Sequence, residues 1–142
     1  MKAKTFIAGF FGVVAVVAAA SIYFSATTDK AKKSVAALAS PDGRFKAVKI
    51  TLSEDGAKPF CFDSVSVMLA AYPDEFAQRE KAYEVYAAPC ASFAGGAASP
   101  KIEWQSATAL QIVYAAAPGA KPPRTKDIDV TKAVHVTVVA RD

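Results

Sequence analysis

"ASPDGRFKAVKI", residues 39–50, decides how this chain is read. Ser40-Pro41-Asp42-Gly43 is turn chemistry: proline presets the first central residue, aspartate caps the turn and glycine accepts a positive φ. From Arg44 the residues alternate. This predicts a strand with Val48, Ile50 and Leu52 on one face and Lys49 and Thr51 on the other. "SVAALA" (34–39), just upstream, is the expected partner strand.

The same grammar continues downstream. "SEDGAKP" (53–59) is a second turn centred on Asp55-Gly56, and "FCFDSVSVMLAAY" (60–72) is a longer apolar strand. Val65, Val67 and Leu69 share one parity and Phe60 and Phe62 the other, which predicts a bulge near Asp63. "PDEFAQREKAY" (73–83) is the single helix candidate in this part, with Asp74 as its cap. "YEVYAA" (83–88) returns to strand character. "KIEWQ" (101–105) and "ALQIVYAA" (109–116) form a hairpin around Ser106-Ala107-Thr108 that turns Ile102, Trp104, Leu110, Ile112 and Tyr114 inward. The prolines of "PGAKPPRTKD" (118–127) exclude a central strand. "AVHVTVVA" (133–140) closes the chain with Val134, Val136 and Val138 in alternation.

Six to seven short strands joined by turns predict an all-β domain: a small antiparallel sandwich, sheet or barrel. Its expected core holds Val48, Ile50, Val65, Val67, Trp104, Ile112 and Val136.

The N-terminal stretch is of another kind. No charge occurs from Thr5 through Thr28, and Lys2 and Lys4 precede the run. About 20 apolar residues span a bilayer as a helix, so one apolar helix is expected from Thr5 to about Ala26. A secretory signal has the same opening, and Ala18-Ala19-Ala20 offers a cleavage site. Against cleavage, Ile22-Tyr23-Phe24 keeps the run apolar beyond that site. The expected organisation is therefore a transmembrane anchor or signal segment over 1–28, a charged linker over 29–34 and an extracytoplasmic β domain over 35–142. The domain is expected in the periplasm, held to the inner membrane by the helix, or free in the periplasm or medium after cleavage. Cys61 and Cys90 are the only cysteines. In an exported domain a lone pair is most simply a disulfide.

SPDGRFKAVKI (40–50), together with IEWQSATALQIVYA (102–115), resembles the blade repeats of TolB-like and WD40-like propellers. Propellers need about four to eight blades, whereas this chain has the Ser-Pro-Asp-Gly element once and no blade-sized repeat. The layout of apolar segment, SPDGR hairpin and short β domain resembles a group of small uncharacterised bacterial membrane-anchored envelope proteins. That resemblance implies an envelope location and no known activity.

Few chemistries have candidate residues. The net charge is +4, and without Lys2 and Lys4 fifteen Lys and Arg face thirteen Asp and Glu. No basic stripe is interleaved with aromatics, so nucleic acid is not an expected partner. His135 is the single histidine, flanked by Val134 and Val136, and is expected on the polar face of the last strand. It lacks partners at metal-ligand spacing, and no serine lies in a GxSxG elbow. Asp127 and Asp129 share a parity but read as a solvated strand edge. Neither a cofactor nor an enzymatic activity is expected. The expected role is a membrane-tethered interaction or structural module that contacts another envelope protein. The alternative is a secreted or periplasmic inhibitor or immunity-type protein, with "KPPRTKD" as a wedge. In either case Lys121, Arg124 and Lys126 form the candidate interaction loop.

Overall fold

The computed structural model describes residues 22–26, 31–116 and 119–142, with side chains from residue 32 onward. In chain order the strands are β1 (Ile22–Ala26), β2 (Ala31–Ala39), β3 (Phe45–Glu54), β4 (Phe60–Leu69) and β5 (Glu84–Pro89). There follow β6 (Ala91–Ser92), β7 (Ala98–Ser99), β8 (Lys101–Ser106), β9 (Ala109–Ala115), β10 (Arg124–Thr125) and β11 (His135–Arg141). A single turn of α-helix, α1 (Phe76–Arg79), and a 3-10 turn (Lys81–Tyr83) lie between β4 and β5. The described residues are thus mostly β.

Strands β1 to β5 form an antiparallel meander, and β10 adds to its far edge, giving the order β1-β2-β3-β4-β5-β10. A second sheet has the order β11-β9-β8, and β6 pairs with β7 alone. The opening turn joins β2 to β3 as the sequence predicts. Ser40 Oγ donates to Asp42 Oδ1 at 2.8 Å and accepts from Phe45 N–H at 3.1 Å. Gly43 sits at φ 74°, in the left-handed region that glycine enters without strain. The Ser40 hydroxyl, helped by the Arg44 N–H, holds the Asp42 carboxyl below its usual range.

Alternation gives the six-stranded sheet two buried faces. One face presents Phe45, Ala47, Val65 and Val67 to Leu110, Ile112, Val134 and Val136, so the two larger sheets pack face to face. The other presents Val35, Val48, Ile50 and Met68, covered by Ala77 of α1 and by Tyr72, Phe76 and Tyr83. The expected core residues are therefore divided. Val65, Val67, Ile112 and Val136 lie between the sheets, whereas Val48 and Ile50 lie on the opposite face. Trp104 is half-buried at the rim of the first cluster, where its indole N–H donates to the Leu38 carbonyl at 2.9 Å. Leu52, expected beside Val48 and Ile50, is exposed near the strand's end.

Several expectations are corrected. The described chain has eleven strands rather than six or seven, because two-residue pairings carry too little pattern to be read. The architecture is not wholly antiparallel, since β11 runs parallel to β9 from His135↔Ala109 to Arg141↔Ala115. Parallel neighbours need a crossover connection, and residues 116–134 supply it. The apolar helix expected from Thr5 to about Ala26 lies outside the described residues up to residue 21. Its last part, Ile22–Ala26, is strand paired with β2. Residues 29 and 30 of the expected charged linker lie outside the described residues, and 31–34 are strand, because β2 begins at Ala31 and Lys32 and Lys33 pair with Ser53 and Leu52. The bulge expected near Asp63 lies two residues on, between Val65 and Ser66, against β5. The helix candidate is only four residues long with Glu75 at its N-cap position, and Asp74 forms an ion pair with Lys46. Among the described residues, no helix is long and apolar enough to cross a membrane.

The predicted hairpins hold. β8 pairs with β9 around Ser106–Thr108, with an irregularity between Trp104 and Ser106. Cys61 and Cys90 are bonded, their Cα atoms 5.3 Å apart. They extend the β4–β5 register by one pair beyond Phe62↔Pro89, and the Cys90 N–H donates to the Cys61 carbonyl.

Candidate interaction surface

The crossover from β9 to β11 does not run free across the surface. At Arg124↔Ala87 and Thr125↔Tyr86 it attaches to the edge of β5, and Lys126 N–H donates to the Val85 carbonyl. Pro122 and Pro123 lack N–H groups and could not extend this ladder. The result is a short strap that closes the edge of the large sheet for two residues and then leaves it.

A buried carboxylate fixes the strap's return. Asp129 is 2% exposed, and it accepts from the N–H groups of Thr131 (3.1 Å), Ala133 (3.0 Å) and Val134 (2.8 Å) and from the Thr131 hydroxyl. A buried carboxylate is costly unless its lone pairs are filled in this way. Asp129 is therefore a loop organiser and not the solvated edge residue the sequence suggests. Asp127, its apparent mate, is exposed and contributes its backbone carbonyl to Val136 N–H. The two carboxylates do not act together.

Two clefts flank the strap. The first, about 330 Å³, lies between the strap and the 3-10 turn, and its charged lining is Lys81, Glu84, Arg124 and Lys126. Arg124 Nη2 reaches Glu84 Oε1 at 3.4 Å, Lys81 Nζ reaches Glu84 Oε2 at 3.5 Å, and Lys126 Nζ donates to the Ala82 carbonyl at 3.3 Å. The second cleft, about 270 Å³, opens beside the disulfide and is lined by Tyr86, Tyr114, Pro122, Pro123 and small residues, with Lys121 among them. The Tyr86 and Tyr114 rings are tilted with centroids 6.1 Å apart. Burial, with the Asp63 carboxylate nearby, pushes the Tyr86 hydroxyl up to about 12, so it stays a neutral donor across the physiological range. Asp63 is itself buried and accepts from the Thr51 hydroxyl on the paired strand.

The loop cations expected to act together are divided by this arrangement: Lys121 lines the second cleft, and Arg124 and Lys126 line the first. Lys81, in the 3-10 turn, and Glu84, at the start of β5, join Arg124 and Lys126 in the first cleft. Sequence reasoning missed both, because about forty residues separate them from the strap; the Lys81–Glu84 spacing of i,i+3 was the single local trace. His135 is exposed at the start of β11, as expected. Among the described residues, no three His, Cys, Asp or Glu side chains gather as a metal set. What the surface can do chemically is hold anions, through a guanidinium and ammonium groups set over a cleft.

No protein-family model, no curated protein and no solved structure matches this chain.

Proposed function

We propose that this chain is an exported, non-enzymatic interaction module of the cell envelope. Its apolar N-terminal segment tethers it to the inner membrane, and its β-sandwich reaches a protein partner in the periplasm through the strap at Lys121–Lys126. The observation that carries this reading is the strap itself: a proline-stiffened crossover presenting exposed cations over two clefts. The Cys61–Cys90 disulfide supports an oxidising compartment. The geometry of the sheet adds a division of labour. β1, where the N-terminal segment enters, and β10 lie at opposite edges. Five strand spacings of about 4.8 Å each separate β1 from β10, which supports a tether and a contact surface at different edges. A photo-cross-linker placed at Lys121 or Thr125 should capture one discrete protein from intact envelopes, and one placed at Lys32 should not. Identical capture patterns from the two edges would overturn the assignment.

A second reading has one specific observation in its favour. Ile22-Tyr23-Phe24 argued against signal cleavage as long as those residues were an apolar continuation. As β1 they pair with Ala36, Val35 and Ser34, so this part of the run is strand and not helix. Cleavage after Ala20 would then release a periplasmic inhibitor or immunity-type domain whose first element is β1. Mass spectrometry of the mature protein separates the two: a chain beginning at Ser21 supports release, and one retaining Lys2 and Lys4 supports the tether.

A further inference from the structure

The first cleft is out of electrostatic balance. Three cations line it against one carboxylate, Glu84. Glu84 is mostly buried, its side chain 13% exposed, whereas Lys81 and Arg124 keep about three-quarters of their side-chain surface in solvent (74% and 75%). Charge-assisted N–H···O bonds close at about 2.7–2.9 Å. The contacts of 3.4 and 3.5 Å to Glu84 are thus loose tethers, which leave most of the guanidinium and ammonium donors open to a ligand.

The chemistry of the occupant follows from three further observations. First, the positive charge is not a single point, because Lys121 of the same strap lines the neighbouring cleft and Tyr86 lies in both linings. One small anion fills one cleft, while an extended chain can reach both. Second, backbone recognition is poorly provided for. Lys126 N–H and the Arg124↔Ala87 pair face β5, so alternation turns only the Thr125 N–H and carbonyl outward, and the two prolines before β10 offer no donors. Selectivity must then come from side-chain charge and not from strand addition. Third, the aromatic residue of the first cleft, Tyr86, is 2% exposed and gives no stacking platform for bases.

We propose that this cleft recognises an acidic polypeptide segment. Carboxylates of the partner enter between Lys81, Arg124 and Lys126, and a further one meets Lys121. The proposal rests on the interaction-module reading and names the chemistry of its partner.

The test is fluorescence anisotropy of a labelled hexaglutamate peptide with the oxidised full-length chain. The Lys81→Gln/Arg124→Gln double variant should raise Kd at least tenfold and flatten its dependence on salt. Glu84→Gln should lower Kd several-fold, because it removes the internal competitor; this sign cannot arise from misfolding. Lys32→Gln, four strands away on β2, should change Kd less than twofold. A double variant that binds like wild type, or an equal loss in Lys32→Gln, overturns the site. Inorganic phosphate or phosphatidylglycerol vesicles binding more tightly than the peptide overturns the polypeptide assignment in favour of a small anion or a lipid. If the strap still cross-links a partner but peptide affinity is indifferent to these variants, acid recognition fails and the interaction module stands. If no partner is captured and the peptide effects appear as stated, the reverse holds.

Discussion

The two faces of the large sheet are built from the same strands and solve burial differently. Between the sheets, β3, β4 and β5 meet β9 and β11, and branched side chains from both sides, Ile112 and Val67 among them, share one buried cluster. On the opposite face, Val48, Ile50 and Met68 are equally buried, but their cover is one turn of helix and three aromatic rings from residues 72–83. Tyr72 packs against Phe76 at 5.5 Å and Tyr83 at 6.3 Å, and Lys46 fastens the segment by donating to the Tyr72 carbonyl and the Asp74 carboxylate. One face is closed by a hydrogen-bonded sheet, the other by a flap. Equal burial therefore need not mean equal cooperativity, and opening of the flap is expected not to require separation of the sheets.

The sharpest way to break this comparison is a pair of truncations. Ile112→Ala should cost about 4 kcal/mol and lower the urea midpoint of the whole domain, because cavities between two fixed sheets relax little. Met68→Ala, also fully buried, should cost about 2–3 kcal/mol. It should also raise hydrogen exchange in residues 72–83 well before global unfolding. Equal losses with uniform exchange would show that the flap is no weaker than the second sheet.

The disulfide serves as a control, since it joins β4 to β5 and both faces share those strands. Replacing Cys61 and Cys90 by alanine should destabilise by about 3 kcal/mol, consistent with a closed loop of this size. The loss should appear in the global transition and leave the difference between the two faces unchanged. A selective loosening of residues 72–83, read by exchange, would contradict this.

Trp104 tests the rim of the inter-sheet face. Its half-buried ring and its bond to the Leu38 carbonyl tie β8 to the end of β2. Trp104→Ala should cost about 2 kcal/mol, below the cost of a fully buried tryptophan, and Trp104→Phe about half that. A melting temperature within a degree of wild type would remove Trp104 from the fold's support.

The smallest effect is one of pH. Tyr86, between the sheets, keeps its proton up to about pH 12, whereas an unfolded tyrosine releases it near pH 10. The folded state thus opposes ionisation. Its stability is intact below about pH 10 and declines as pH rises from there toward 12. Tyr86→Phe should flatten that decline in melting temperature. An unchanged alkaline slope would assign the effect to other groups.

Much of this was legible residue by residue. The Ser40–Gly43 turn, the alternation of β3 and β4, and the Ser106–Thr108 hairpin are encoded within a dozen residues each, where turn chemistry and a period of two act locally. The disulfide was legible from a lone cysteine pair together with the expectation of export. What escaped were features without a local trace: the short pairings β6–β7 and β5–β10, the parallel β11, and the joining of Lys81 and Glu84 to the strap. The sequence also placed Val48 with Val65 in one core, although across the β3–β4 register Val48 sits opposite Ser66 and shares its face. Alternation says that two faces differ, but not which face of one strand meets which face of another.

By itself, then, the sequence determined an all-β domain with its main hairpins, a disulfide and an apolar N-terminal run, because these follow from interactions between near neighbours or from composition. Only the tertiary structure decided that the last part of the apolar run, Ile22–Ala26, is strand, that two clusters share one sheet, and that a crossover brings the cations of residues 121–126 to the edge beside Lys81. Those outcomes depend on pairing register and chain crossing over separations from about a dozen residues, as between β1 and β2, to about forty at the strap. At that range the free energy of the whole sheet, and not any local propensity, selects the neighbour.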